Sequence, residues 1–207
     1  HPTTRRQRQM CIRDRFWIHG GGNTSGHKDF YDFTELVKKK DVIVVSVNYR
    51  LGPLGFFTHP AIQDLNSGLD RTSNFGTLDI ILALKWVNDN IESFGGDPNN
   101  ITIFGESAGG HNVLSLLVAP QAKDLFHKAI SQSGYTKSTS LEEAYKSEYF
   151  NEEKTADSWT TFNKILIEKG TAKDLDEADQ YQSSTSRQDQ RKVLYDLPPQ
   201  NLINQYQ

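Results

Sequence analysis

Cysteine is almost missing from the 207 residues: Cys11 stands alone, so no internal disulfide can form. With no Cys-x-x-Cys pair and no His/Cys cluster, the sequence carries no metal signature, and the fold must be held by packing. Charge of one sign is also missing. Lys and Arg number 23 against 26 Asp and Glu, a net charge of -3, which gives no general attraction to nucleic acid or anionic lipid. The basic stretch TTRRQRQ near the start reads as incidental. The longest apolar run, around VIVVSV, falls far short of the roughly 20 residues a membrane-spanning helix needs. The sequence opens on His1 rather than Met, so the lack of a secretory signal in it does not fix the address of the intact protein; the two glycosylation-like triplets, at Asn23 and Asn100, read most simply as chance matches without such a signal.

What is present suits one ordinary globular core or part of a larger one, with 36% hydrophobic and 24% charged residues. Strand-like and helix-like segments alternate through the middle of the chain, the pattern of a parallel sheet covered by helices. After FWIHGGG, the segment DFYDFTELVKKKD puts Phe30, Phe33 and Val37 on one helical face and ends in lysines. DVIVVSVNYR reads as a strand buried on both faces. THPAIQDLNSGLDRTSNFG reads as a long loop. From Thr77, the residues Ile80, Leu84, Val87 and Ile91 mark one face of an amphipathic helix, with Gly95 placed to cap it. ITIF is the next strand, AGGHNVLSLLVA the next helix and KAISQS another strand. Beyond Tyr135 the composition turns polar, yet TTFNKILIEKG and RKVLYDLPPQNLINQY keep helical spacing. The expected divisions are therefore a sheet core over 16–134 and a helical periphery of the same domain over 135–207.

Two glycine-rich stretches carry chemistry. Gly105-Glu106-Ser107-Ala108-Gly109 fits the Gly-x-Ser-x-Gly turn, and it lies where that turn belongs, between a β-prone run and an apolar helix. Glycines flank the serine because side chains there would collide with neighbouring backbone. The turn lifts the hydroxyl above the sheet and sets it at a helix N-terminus, where developing negative charge is favoured. The second stretch is HGGG, His19 to Gly22, which also follows a strand-like run. Acyl transfer places negative charge on a carbonyl oxygen, and oriented backbone N–H groups stabilise it. Together the two motifs point to serine ester chemistry.

FWIHGGG, VVSVNYRLGPLGFF, NFGTLDIILALKWVNDNIESFGGDPNNITIFGESAGG and KDLFHKAISQSG occur in order between Phe16 and Gly134. They resemble consecutive blocks of the type-B carboxylesterases, the cholinesterase-like α/β-hydrolases. The resemblance implies an α/β-hydrolase fold, incomplete here, with a mostly parallel sheet and a helical C-terminal region. It implies that Ser107 accepts the acyl group, that the N–H groups of Gly21, Gly22 and Ala108 form the oxyanion hole, and that Glu106 supports the site. It further implies a small-molecule carboxylic ester as partner, no nucleic acid, and neither metal nor organic cofactor. A rival reading is a catalytically silent cholinesterase-like adhesion protein, disfavoured because the serine and the glycines are all kept.

Two features depart from that pattern. The general base should follow the serine in the order Ser, Asp or Glu, His, yet no histidine follows His127. His111 shares the predicted helix with Ser107 but the turn points the hydroxyl away from it; His127 reads as a strand-edge residue, His19 as structural, and His27 and His59 as loop residues. Asp174, Asp176 and Glu177 read as a solvated helix face. The chain by itself is thus expected to be inactive. At the front, QRQMCIRDRFW places Arg13, Asp14 and Arg15 where a buried strand is expected, and MCIRDR resembles a translated sequencing adapter. Residues 1–15 are expected to be foreign or disordered.

Overall fold

A computed structural model describes residues 13–146 and 157–206. Cys11 and the rest of residues 1–12 lie outside the described residues. Four parallel strands form one sheet: β1 (Arg13–Ile18), β2 (Val42–Val47), β3 (Ile101–Glu106) and β4 (Lys128–Gln132), in spatial order β2-β1-β3-β4. Helices α1 (Thr34–Lys40), α4 (Phe75–Asn90) and α5 (Ala108–Val118) join or follow them.

The chain packs as two compact units. The first, 1–51 with 76–137, contains the sheet. Along β1 the side chains alternate, so Phe16 and Ile18 face Ile80, Leu84, Val87 and Ile91 of the α4 segment and Val113 and Leu116 of α5. Trp17 points the other way, edge-on to Tyr31 and Phe33 and tilted against Phe104. The second unit, 52–75 with 138–207, holds the short helices α2 (Gly52–Phe56) and α3 (Pro60–Gln63) together with α6 (Leu141–Tyr145), α7 (Ser158–Glu168), α8 (Leu175–Ser184), α9 (Arg187–Tyr195) and α10 (Pro199–Asn204). Its core is Phe162, Ile165, Leu166, Ala172 and Ala178.

Several sequence expectations need correcting. Arg13, Asp14 and Arg15, grouped with the foreign segment, form the first half of β1; all three pair with β2, and Asp14 and Arg15 also pair with β3. Ladder bonds use backbone, so polar side chains do not prevent them. β2 is half-buried rather than covered on both faces, because it is a sheet edge. Helix α1 starts only at Thr34, leaving Phe30 exposed while Phe33 joins the Trp17 cluster. The long loop over 58–76 follows the short helix α2 and contains α3 and a 3-10 turn at Gly68–Arg71, and segment 52–75 packs with the helices that follow residue 137. Gly95, with φ of 89°, ends the 3-10 turn that extends α4.

Candidate active site

The turn from β3 into α5 is tight because nothing larger than hydrogen fits beside it. A methyl group on Gly105 would meet the Gly109 carbonyl at 2.5 Å, and one on Gly109 would run into the Ile18 carbonyl oxygen. Between them Ser107 adopts φ 56° and ψ -122°, a left-handed backbone that costs a non-glycine residue on the order of 1–3 kcal/mol. The surrounding bonds over-determine it: Ser107 N–H donates to Gln132 O (2.8 Å) and His111 N–H to Ser107 O (2.9 Å). Serine at a helix start ordinarily turns its hydroxyl back onto the first-turn N–H groups. Here it makes no such cap bond.

The HGGG loop leaves the end of β1 beside this turn. A methyl group on Gly20 would lie 3.1 Å from Ser107 Cβ. His19 is buried, stacked on Tyr49 at 4.5 Å, and burial lowers its pKa. Its Nδ1–H donates to Gly20 O at 2.8 Å, which fixes the tautomer since a carbonyl only accepts. Gly21 O accepts from the N–H groups of Thr24 and Ser25 and from both their hydroxyls, at 2.9–3.2 Å. A trans peptide sets its C=O and N–H on opposite sides. Drawing the oxygens of Gly20 and Gly21 into the loop therefore aims the N–H groups of Gly21 and Gly22 away from those acceptors. Among the described residues no protein group accepts from the N–H of Gly21, Gly22 or Ala108.

Among the described residues of the sheet unit, no histidine is directed to Ser107 by a hydrogen bond. The His111 ring lies flat on Tyr135 at 4.3 Å with Nδ1 at its carbonyl (2.5 Å). His127 is exposed, its Nδ1 accepting from Ile101 N–H at 3.4 Å, and His27 is exposed beside Asp29. His59 is fully buried in the second unit, where it accepts from Ala61 N–H, packs on Phe162, and has its pKa pushed down to about 4 by burial. Among the described residues no group of His, Cys, Asp and Glu is arranged to hold a metal, and no helix is long and apolar enough to cross a membrane.

A four-stranded parallel sheet with a strained serine between strand and helix is matched over residues 13–192 by the family model described as the carboxylesterase family. The chain belongs to the carboxylesterase family. It is 47% identical over 130 residues to the para-nitrobenzyl esterase of Bacillus subtilis, a match covering 62% of this chain and 26% of that protein. It is 48% identical over 130 residues to rat carboxylesterase 1E, covering 60% and 22%. Among solved structures, the carboxylesterase of Geobacillus stearothermophilus at pH 6.8 superposes with a TM-score of 0.69 at 33% identity, over 94% of this chain and 36% of that one. A para-nitrobenzyl esterase structure gives 0.67 at 34% identity, over 94% and 35%. The fold is thus the α/β-hydrolase fold, of which this carboxylesterase chain spans about a third of the solved chains and about a quarter of the curated relatives.

Sequence reasoning missed one part of the site. Tyr49, buried at the end of the β2 segment, donates its hydroxyl to His19 O at 2.8 Å and lies 3.1 Å from Asn23 Oδ1. Asn23 Oδ1 also accepts from Asn112 Nδ2 of α5 at 2.9 Å. Burial pushes the Tyr49 hydroxyl up to about 12, so it stays a donor at any physiological pH. The legible signal was Asn112 itself, an amide immediately before the apolar-rich VLSLLV run of the same helix.

Proposed function

We propose that this carboxylesterase chain carries the nucleophile and oxyanion hole of a carboxylic ester hydrolase acting on small-molecule esters, with Ser107 as nucleophile. The observation that carries this reading is the Ser107 hydroxyl, unspent on its own helix, beside backbone N–H groups that donate to no partner among the described residues. Ser107 Oγ attacks the ester carbonyl carbon and gives its proton to a general base. Negative charge moves to the carbonyl oxygen, which the N–H groups of Gly21, Gly22 and Ala108 receive; one such donor is typically worth about 3–4 kcal/mol in the transition state. The alcohol leaves with a proton, and water then releases the acid from the acyl-serine. Glu106 lies at the loop, 3.1 Å from where a Gly20 methyl would sit, and supports it.

The base is assigned to none of the described histidines: His111 is held on Tyr135, His59 is buried as a helix cap, and none follows His127. A base from elsewhere is required, so the test supplies one. The 207-residue chain is incubated with p-nitrophenyl acetate, with and without imidazole, and its peptides are weighed. An acetyl group on Ser107 that depends on imidazole and disappears in Ser107→Ala supports the reading. Imidazole hydrolyses this ester unaided, so the adduct rather than released nitrophenolate is the readout. Acetyl groups only on other residues would refute the assignment.

A further inference from the structure

We infer that Asn112 is a positioning residue that, through Asn23, ties the glycine loop to the helix carrying Ser107; its functional meaning rests on the esterase reading above. The loop is anchored at two points. At its entry, His19 O accepts from the Tyr49 hydroxyl, and at its exit Asn23 Oδ1 accepts from Asn112 Nδ2 with the Tyr49 hydroxyl alongside. Asn112 is 2% exposed, in a turn of α5 whose neighbours Val113 and Leu116 belong to the apolar core. A buried amide persists in such a place when it is bonded, and Asn23 is the partner its donor has. Asn23 itself sits at φ 58°, where asparagine and aspartate are the side-chain-bearing residues best tolerated.

The placement couples the parts of the site. Ala108 opens α5, and Asn112 follows about one helical turn later. One rigid helix thus presents the Ala108 N–H and holds the loop that presents those of Gly21 and Gly22. A loop cut from that helix keeps its internal turn but loses its register to Ser107, and misplacement by about 1 Å can cost on the order of a hundredfold in rate.

Isosteric exchange tests the tether in the 207-residue chain. Asn112→Asp keeps the shape but donates nothing and sets an oxygen against Asn23 Oδ1, whereas Asn23→Asp keeps both the acceptor and the tolerance of positive φ. Asn112→Ala removes the donor without adding charge. Amide exchange at Thr24 and Ser25, whose N–H groups close on Gly21 O, should quicken about tenfold in both Asn112 variants and stay near wild type in Asn23→Asp, with Ile80–Val87 in α4 unmoved. The maximal rate of imidazole-assisted acetylation of Ser107 should fall in the Asn112 variants while the half-saturating ester concentration holds. Equal behaviour of Asn23→Asp and Asn112→Asp, or quickening of α4 together with the loop in Asn112→Ala, overturns the inference. If wild-type Ser107 takes no acetyl group, the esterase reading fails and amide exchange alone decides the tether.

Discussion

Replacing Asp14 by valine should stabilise the sheet unit near neutral pH and forfeit that advantage in acid. Asp14 is 1% exposed, on the core face of β1 in line with Phe16 and Ile18, between β2 and β3. Oδ2 accepts from Asp97 N–H at 2.7 Å, but buried Oδ1 has no partner among the described residues. Burial, with the Asp97 charge behind it and the Asp97 N–H opposing, moves the carboxyl from 3.8 up to about 6. At roughly 1.4 kcal/mol per pH unit that displacement is worth about 3 kcal/mol. The folded chain holds the proton more tightly than the unfolded one, so this contribution is full below pH 3.8 and lost as the pH rises through 6. Valine carries no proton and leaves the Asp97 N–H without its acceptor, at about 1–2 kcal/mol. Asp14→Val should therefore gain about 1–2 kcal/mol over wild type near pH 7.5 and lose a similar amount near pH 4. Urea titrations of both proteins across this range, followed by tryptophan fluorescence, give the difference directly. Buried His59 acts with the opposite sign in wild type and cancels on subtraction. A difference that stays constant with pH would falsify the account of a buried, strained carboxylate.

Three further outcomes follow from the same geometry. Ser107→Gly should raise the melting temperature, since glycine takes φ 56° and ψ -122° without strain and the gain is about 1 kcal/mol; an unchanged or lower value counts against stored strain at the turn. Gly109→Ala should destabilise by more than about 3 kcal/mol because its methyl meets Ile18 backbone, whereas Gly95→Ala, with open space around it, should cost only about 1 kcal/mol; comparable losses in urea melts would contradict this. His59 is held neutral by burial with its pKa near 4, so its contribution is present above pH 6.5 and lost as the pH falls through 4. His59→Phe should flatten that acid limb, read by circular dichroism between those values, while giving up the Ala61 cap at about 1 kcal/mol.

Much of this was legible because it depends on local chemistry. The spacing of Ile80, Leu84, Val87 and Ile91 marks a helix face wherever that helix packs, and the structure buries all four. Gly105 and Gly109 announce close backbone approach, and Ile18 and Gly109 supply it. Other features depended on partners far along the chain. Whether VIVVSV was covered on one face or two depended on its edge place in the sheet, and the fate of His59 on Phe162, about a hundred residues away. Neither distance is encoded in a periodicity.

By itself the sequence determined an alternating α/β chain without disulfide or metal signature, a serine between glycines at a strand-to-helix turn, and a glycine run after another strand. Those are properties of short windows, set by backbone sterics and hydrophobic period. Only the tertiary structure decided that the two glycine stretches meet, with Gly20 against Ser107, and that Tyr49, Asn23 and Asn112 bind the loop to its helix. It alone turned His111 onto Tyr135 and put Asp14 in the core. The physical reason is that a parallel sheet brings strand ends together through crossovers of many residues, so the contacts that orient a site join positions no local pattern relates.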